Sequence, residues 1–157
     1  MKNVALSILF AFLIPGIFYA QEFKNHHNLS NGVAIHGYDP VAYFEQGKAL
    51  EGKKEFPVTL YGAVYHCSSA ENRKLLLKYP EKYLPRYGGW CAFAMGDNGK
   101  KVDINPETFK ISDGKLYLFY NRFPVNTMKS WNRNEMNLMR NADRNWKKLI
   151  TSKNPDK

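Results

Sequence analysis

An apolar run of eleven residues, Val4 to Ile14, preceded by Lys2 and broken by Pro15-Gly16, separates the start of this chain from what folds after it. A membrane-crossing helix needs about 20 apolar residues, whereas this run has the length of the hydrophobic segment of a secretory signal. Ala20 is the small residue that a signal peptidase requires, and polar Gln21-Glu22 follows. Phe18 is bulkier than the residue preferred two positions earlier. Cleavage is therefore expected near Ala20, and an uncleaved anchor is the competing reading. No Cys follows the cleavage region, so a bacterial lipid anchor there is not supported. The expected organisation is a signal at 1–20, a polar leader arm at 21–32, one domain at 33–150 and a polar tail at 151–157. The mature protein is expected to be periplasmic or secreted.

The 157 residues suffice for one domain with a real core. With 44% apolar and 15% aromatic residues, the chain buries enough surface to fold, which excludes wholesale disorder. Two Cys are too few for a disulfide-stapled scaffold. Removing the signal takes away one Lys and no acid, lowering the formal charge from +9 to +8. The basic residues are scattered, as at Lys53-Lys54, Lys100-Lys101, Arg140, Arg144 and Lys147-Lys148. No stripe or nucleic-acid motif accompanies them, so nucleic acid is not expected as a partner. Contact with anionic envelope surfaces is the partner class that such a charge favours.

Helix and hairpin signals alternate along the domain. Asp39-Pro40 reads as an N-cap and first helical residue, giving a short helix through about Phe44. Phe56 to Cys67 reads as a hairpin turning at Tyr61-Gly62, with Tyr65 and Cys67 on one face and His66 on the other. Ser68 and Glu71 have capping-box spacing, and Pro80 ends the helix they open. Thr108 to Asn121 is a second hairpin around Asp113-Gly114, in which Leu116, Leu118 and Tyr120 alternate. Ser130 to Ile150 is helical, with Trp131, Leu138, Ala142, Trp146 and Leu149-Ile150 on the apolar side facing the sheet. No βαβ repeat or dinucleotide fingerprint occurs. The class is α+β: a small single domain of β-hairpins with interspersed short helices and a C-terminal helix packed on the sheet.

Several of these segments, in this order, resemble the YHS-domain family in its exported bacterial form. The matching stretches begin with Gly37 to Phe44, Tyr61-Gly62-Ala63-x-Tyr65 and Ser69 to Arg73. They continue through Pro80-x-Lys82-Tyr83-x-Pro85-x-Tyr87-Gly88-Gly89-x-Cys91-Ala92-x-Ala94, then Asp113 to Leu118, and Ala142-Asp143-x-Asn145-Trp146. The resemblance covers about residues 33–147. It implies a small metal-binding module, whose family thiols fall here on Ala42, Ser68 and Asn72. None of these supplies the thiolate that a soft metal site requires. The familiar thiol site is thus expected to be lost, with a metal ion remaining one option for an unidentified cofactor.

Cys91 follows Gly88-Gly89 and matches the exported relatives' own motif, so it is the leading chemical candidate. His36 or Arg86 would be the group that activates it, and His36 and Cys91 are weak metal candidates. The plain alternative is a buried thiol. Cys67 stands where the family usually has Phe and is expected in the core. In an oxidising compartment a Cys67–Cys91 disulfide competes with two inert thiols and with a ligand or reactive role. Asp39 is either a helix cap or part of a polar pocket, and His66 reads as a surface histidine. No hydrolase triad, paired-carboxylate motif, HExxH or phosphate loop appears. The expected function is a non-catalytic binding module holding a small ligand or metal ion near Asp39, Tyr43, Tyr87, Gly88, Gly89 and Cys91. A thiol-dependent redox or nucleophilic enzyme centred on Cys91 is the first alternative. A basic envelope-interaction protein without a small ligand is the second.

Overall fold

Two-residue turns with left-handed backbone build three of the four hairpins among the described residues. The structure, a computed structural model, describes residues 26–152. The expected signal, residues 21–25 of the arm and residues 153–157 of the tail lie outside the described residues. Strands β1 (Leu29–Ser30) and β2 (Val33–Ala34) turn at Asn31-Gly32, with φ of 51° and 81°. A short 3₁₀ turn over Ile35–Gly37 leads to helix α1 (Ala42–Glu45). Strands β3 (Pro57–Leu60) and β4 (Ala63–His66) then turn at Tyr61-Gly62, with φ of 49° and 82°. These angles suit a type I′ hairpin, whose twist matches that of its strands. Val33 pairs with Val64 in parallel, joining the two hairpins in the order β1-β2-β4-β3.

Helices α2 (Ala70–Lys78) and α3 (Pro80–Tyr83), a 3₁₀ turn at Arg86–Gly89 and helix α4 (Ala92–Asp97) follow. Strands β5 (Asn105–Ser112) and β6 (Lys115–Phe119) meet across Asp113-Gly114, whose φ values of 48° and 67° bear out the turn read from the sequence. A small hairpin of β7 (Asn121–Arg122) and β8 (Val125–Asn126) precedes helices α5 (Thr127–Arg133) and α6 (Glu135–Thr151). The architecture is a small single-domain α+β fold with a C-terminal helix.

Strand β6 divides the interior. Leu116 and Leu118 join a core with Tyr43, Val58, Tyr65, Cys67, Leu76, Tyr83 and Cys91. Tyr117 and Phe119, on the opposite face, join a second core with Tyr87, Trp131, Leu138, Ala142 and Trp146. Both faces of this strand are therefore buried, beyond the single alternating face apparent in the sequence. The helical region expected as one piece is broken at Asn134, where φ is −150° and ψ 41°. Trp131 enters the second core from α5, and Leu138, Ala142 and Trp146 enter it from α6. Each large apolar side chain buried there contributes about 1.5–3 kcal/mol. Gly96 sets how closely α4 approaches α6, since a Cβ there would lie 2.5 Å from the Leu138 carbonyl oxygen.

The domain starts earlier than residue 33. The Asn28 amide donates to the Gly88 carbonyl at 2.8 Å, and the Trp90 indole donates to the His26 carbonyl at 2.7 Å. The His26 ring meets Trp146 edge-on at 6.2 Å. Residues 26–32 are thus part of the packed domain, held by polar anchors rather than by an apolar stripe, which is why they lack periodicity.

Candidate functional site

The fully buried Asp39 carboxylate anchors the first of two polar centres. Helix α1 starts only at Ala42, so Asp39 does not cap it in the expected register. Instead Oδ1 accepts the Val41 amide at 2.8 Å, a local side-chain turn. Oδ2 accepts the Ser68 amide and the Ser68 hydroxyl, each at 2.7 Å, and Asn72 Nδ2 at 2.6 Å. The cap of α2 is shifted by one residue from the Ser68–Glu71 expectation. Ser69 takes the Asn72 amide at 3.1 Å and leaves Ser68 to Asp39. Asn72 Nδ2 also reaches Ser68 Oγ at 3.2 Å. Two of the three positions that the resemblance assigns to family thiols therefore meet here, and Ala42 begins the adjoining helix.

The two expected ligand tyrosines fall in different cores. Tyr43 donates to the Pro106 carbonyl at 2.9 Å and stacks edge-on against Phe109. Burial raises its pKa, and the charges of Tyr38 and Asp39 add to the effect. Tyr87 lies in the other core and donates to Asp143 Oδ1 at 3.0 Å; burial raises its pKa, with Asp143 adding. Gly88 lets the N-terminal segment dock, for a Cβ there would stand 2.7 Å from the His26 carbonyl oxygen. The Gly89 carbonyl accepts Asn28 Nδ2 at 3.3 Å. The glycine pair thus serves the arm.

Cys91 is fully buried. Its sulfur accepts the Tyr120 amide at 3.3 Å and lies 3.4 Å from Thr127 Oγ1. Cys67 is also fully buried, and burial pushes its thiol up to about 12, with the Asp39 charge adding and Arg73 opposing. Both cysteines are free, so the Cys67–Cys91 disulfide is not formed. The Cys91 sulfur is committed to the β6–α5 side rather than to β4. His36 and Arg86, its expected activating partners, are bound elsewhere: Arg86 Nη2 lies 2.7 Å from Asp143, and His36 Nε2 lies 2.9 Å from Asp103.

The second centre is open. A cleft of about 560 Å³ is lined by Asn31, His36, Gly37, Glu51, Gly52, Lys54 and His66, among others. Its floor is tight, because the Gly52 amide donates to the Gly37 carbonyl at 2.8 Å and a Cβ on Gly52 would meet the His66 carbonyl at 2.2 Å. The backbone that enters its wall is strained. Ile35, itself buried in the core, and the lining residue His36 have φ of 53° and 51°, and Gly37 follows at 86°. A β-branched residue in this region is a genuine outlier, costing about 1–3 kcal/mol, and such outliers gather at functional sites. Asp103 fixes the His36 ring and also receives Asn28 Nδ2 and the Ile104 amide, each at 2.8 Å. Burial acts to raise the Asp103 carboxyl, but these three bonds outweigh it and hold the group below its ordinary value.

The cleft thus offers two imidazoles, a carboxylate and an ammonium to a small polar ligand. Among the described residues, no group of three or more His, Cys, Asp or Glu is arranged to hold a metal ion. Sequence reasoning reached His36 only as a partner for Cys91 and a weak metal candidate, and took His66 for a surface residue. Nothing in the local sequence signals a left-handed isoleucine, so the cleft has no linear motif. No protein-family model matches the chain, and neither does any curated protein or solved structure.

Proposed function

We propose that this protein is an exported, non-catalytic binding module of the YHS type, whose ligand seat is the open cleft between His36 and His66. The ligand class is a small polar molecule that uses both donors and acceptors. The strained Ile35–His36 backbone beside the cleft carries this reading, because the fold keeps a costly conformation where an imidazole held by Asp103 lines the open cleft. Burial of both thiols supports binding over thiol chemistry. A nucleophilic or redox Cys needs access and a lowered pKa, and Cys91 is sealed while its expected partners are engaged elsewhere.

Native mass spectrometry of protein taken from its own cell envelope tests the proposal. The wild type should carry an added mass that a His36→Asn/His66→Gln variant loses. Asn tolerates the left-handed backbone at position 36, so this variant keeps the wall intact. A wild type without added mass, or a variant that retains it, would refute the cleft as the seat. An added mass equal to a metal ion would replace the organic ligand with that ion.

A further inference from the structure

The most exposed large apolar residue in the domain is Phe123, 97% exposed at the tip of the β7–β8 hairpin. Val125, on the other arm of the same tip and paired with Arg122, is half exposed. Such a pair of apolar side chains at a protruding turn is unusual unless something covers it. The charge around it points to one kind of cover. From Gly114 to Asn134 the chain contains no acidic residue, while Arg122, Lys129 and Arg133 are all exposed. Lys129 and Arg133 stand four residues apart on α5, hence on one face. Trp131 between them turns into the core. Three carboxylates border the region: Asp113 and Glu135 flank the stretch, and Glu107 lies on β5. Glu135 is committed to Lys110 at 2.6 Å, which leaves Asp113 and Glu107 against the three cations.

An apolar tip that carries Arg122 and leads into an exposed basic helix face is an arrangement that suits an anionic lipid surface, the aromatic ring entering the headgroup boundary and the cations meeting the phosphates. No helix among the described residues is long and apolar enough to cross a membrane. We infer that the Arg122–Val125 hairpin tip docks this domain on an anionic membrane surface, with Phe123 and Val125 seated in the interface and Arg122, Lys129 and Arg133 on the headgroups. This contact is separate from the cleft and stands without it.

Vesicle co-sedimentation of the purified protein tests the inference. The probes are vesicles of phosphatidylglycerol with phosphatidylcholine, and of phosphatidylcholine alone. Binding is expected to the anionic vesicles only, and to weaken as salt rises. Phe123→Ala should weaken it about tenfold, and Arg122→Gln about fivefold. Both side chains are exposed, so the variants should melt like the wild type, and circular dichroism verifies this. Equal binding to neutral vesicles would show that an apolar leader or another surface is responsible. That result overturns the inference, as does Phe123→Asp binding anionic vesicles as tightly as wild type. Self-association abolished by Phe123→Asp, without vesicle binding, would assign the tip to a second copy of the chain.

Discussion

Replacing Asp39 with Asn opposes two well-founded effects. The carboxylate is fully buried and accepts four hydrogen bonds, and no cation is among their donors. Burying a charge is costly enough that removing it sometimes stabilises a protein. Against this, charge-assisted bonds contribute about 1.5–3 kcal/mol each, and a stranded buried donor costs about 1–3 kcal/mol. In the variant, Oδ1 still accepts the Val41 amide. Nδ2 would then face the Ser68 amide and Asn72 Nδ2, both donors, while the Ser68 hydroxyl can turn and accept. Two stranded donors, less the relief of the buried charge, leave a net loss of about 3 kcal/mol. For a domain of this size that lowers Tm by about 10 °C.

Thermal and urea unfolding followed by circular dichroism measure this change. Ser68→Ala should cost only about 1 kcal/mol, since its backbone amide still reaches Asp39. The double variant should fall short of additivity, because both changes remove the same bond. A Tm for Asp39→Asn equal to or above wild type would refute the reasoning. The carboxylate would then be a strained group kept for chemistry, and the interior would regain its claim as the site.

Three further outcomes follow from the packing. Stability should fall as pH rises above about 9, because the folded state holds protons on Cys67, Tyr43, Tyr65 and Tyr87 that the unfolded chain has released. At pH 11 the loss is about 3 kcal/mol from Cys67 and about 1 kcal/mol from each tyrosine, and a flat alkaline urea midpoint would contradict it. Both thiols should resist alkylation at pH 8 until the domain unfolds, so labelling within seconds in native buffer would return the thiol-enzyme reading to first place. Gly96→Ala should lower stability by about 1–3 kcal/mol, because its Cβ meets backbone of α6 that cannot turn aside; a Tm within a degree of wild type would show that α4 shifts freely.

The hairpins and helices were legible in the sequence because their signals are local. A two-residue turn declares itself through Asp113-Gly114, and an amphipathic helix through the spacing of Leu138, Ala142 and Trp146. Burial of both faces of β6 was less so, since Tyr117 and Phe119 suit an exposed aromatic face as well as a core. The polar centres escaped for a different reason. Asp39 is held by residues 29 and 33 positions away, and a capping signal in Ser68-Ser69 admits either register. Only the long-range claim of Asp39 on Ser68 decides that Ser69 becomes the cap. The leader arm was misjudged for the same physical cause, because its anchors at Gly88 and Trp90 lie more than fifty residues away. The cleft depends on still more: a turn at 35–37, a loop at 51–54 and the end of β4 must all be in place before two unremarkable histidines face the same space. Secondary structure is set by neighbours along the chain and a site by neighbours across it. A strained Ile35 is therefore visible only once the fold that tolerates it has formed.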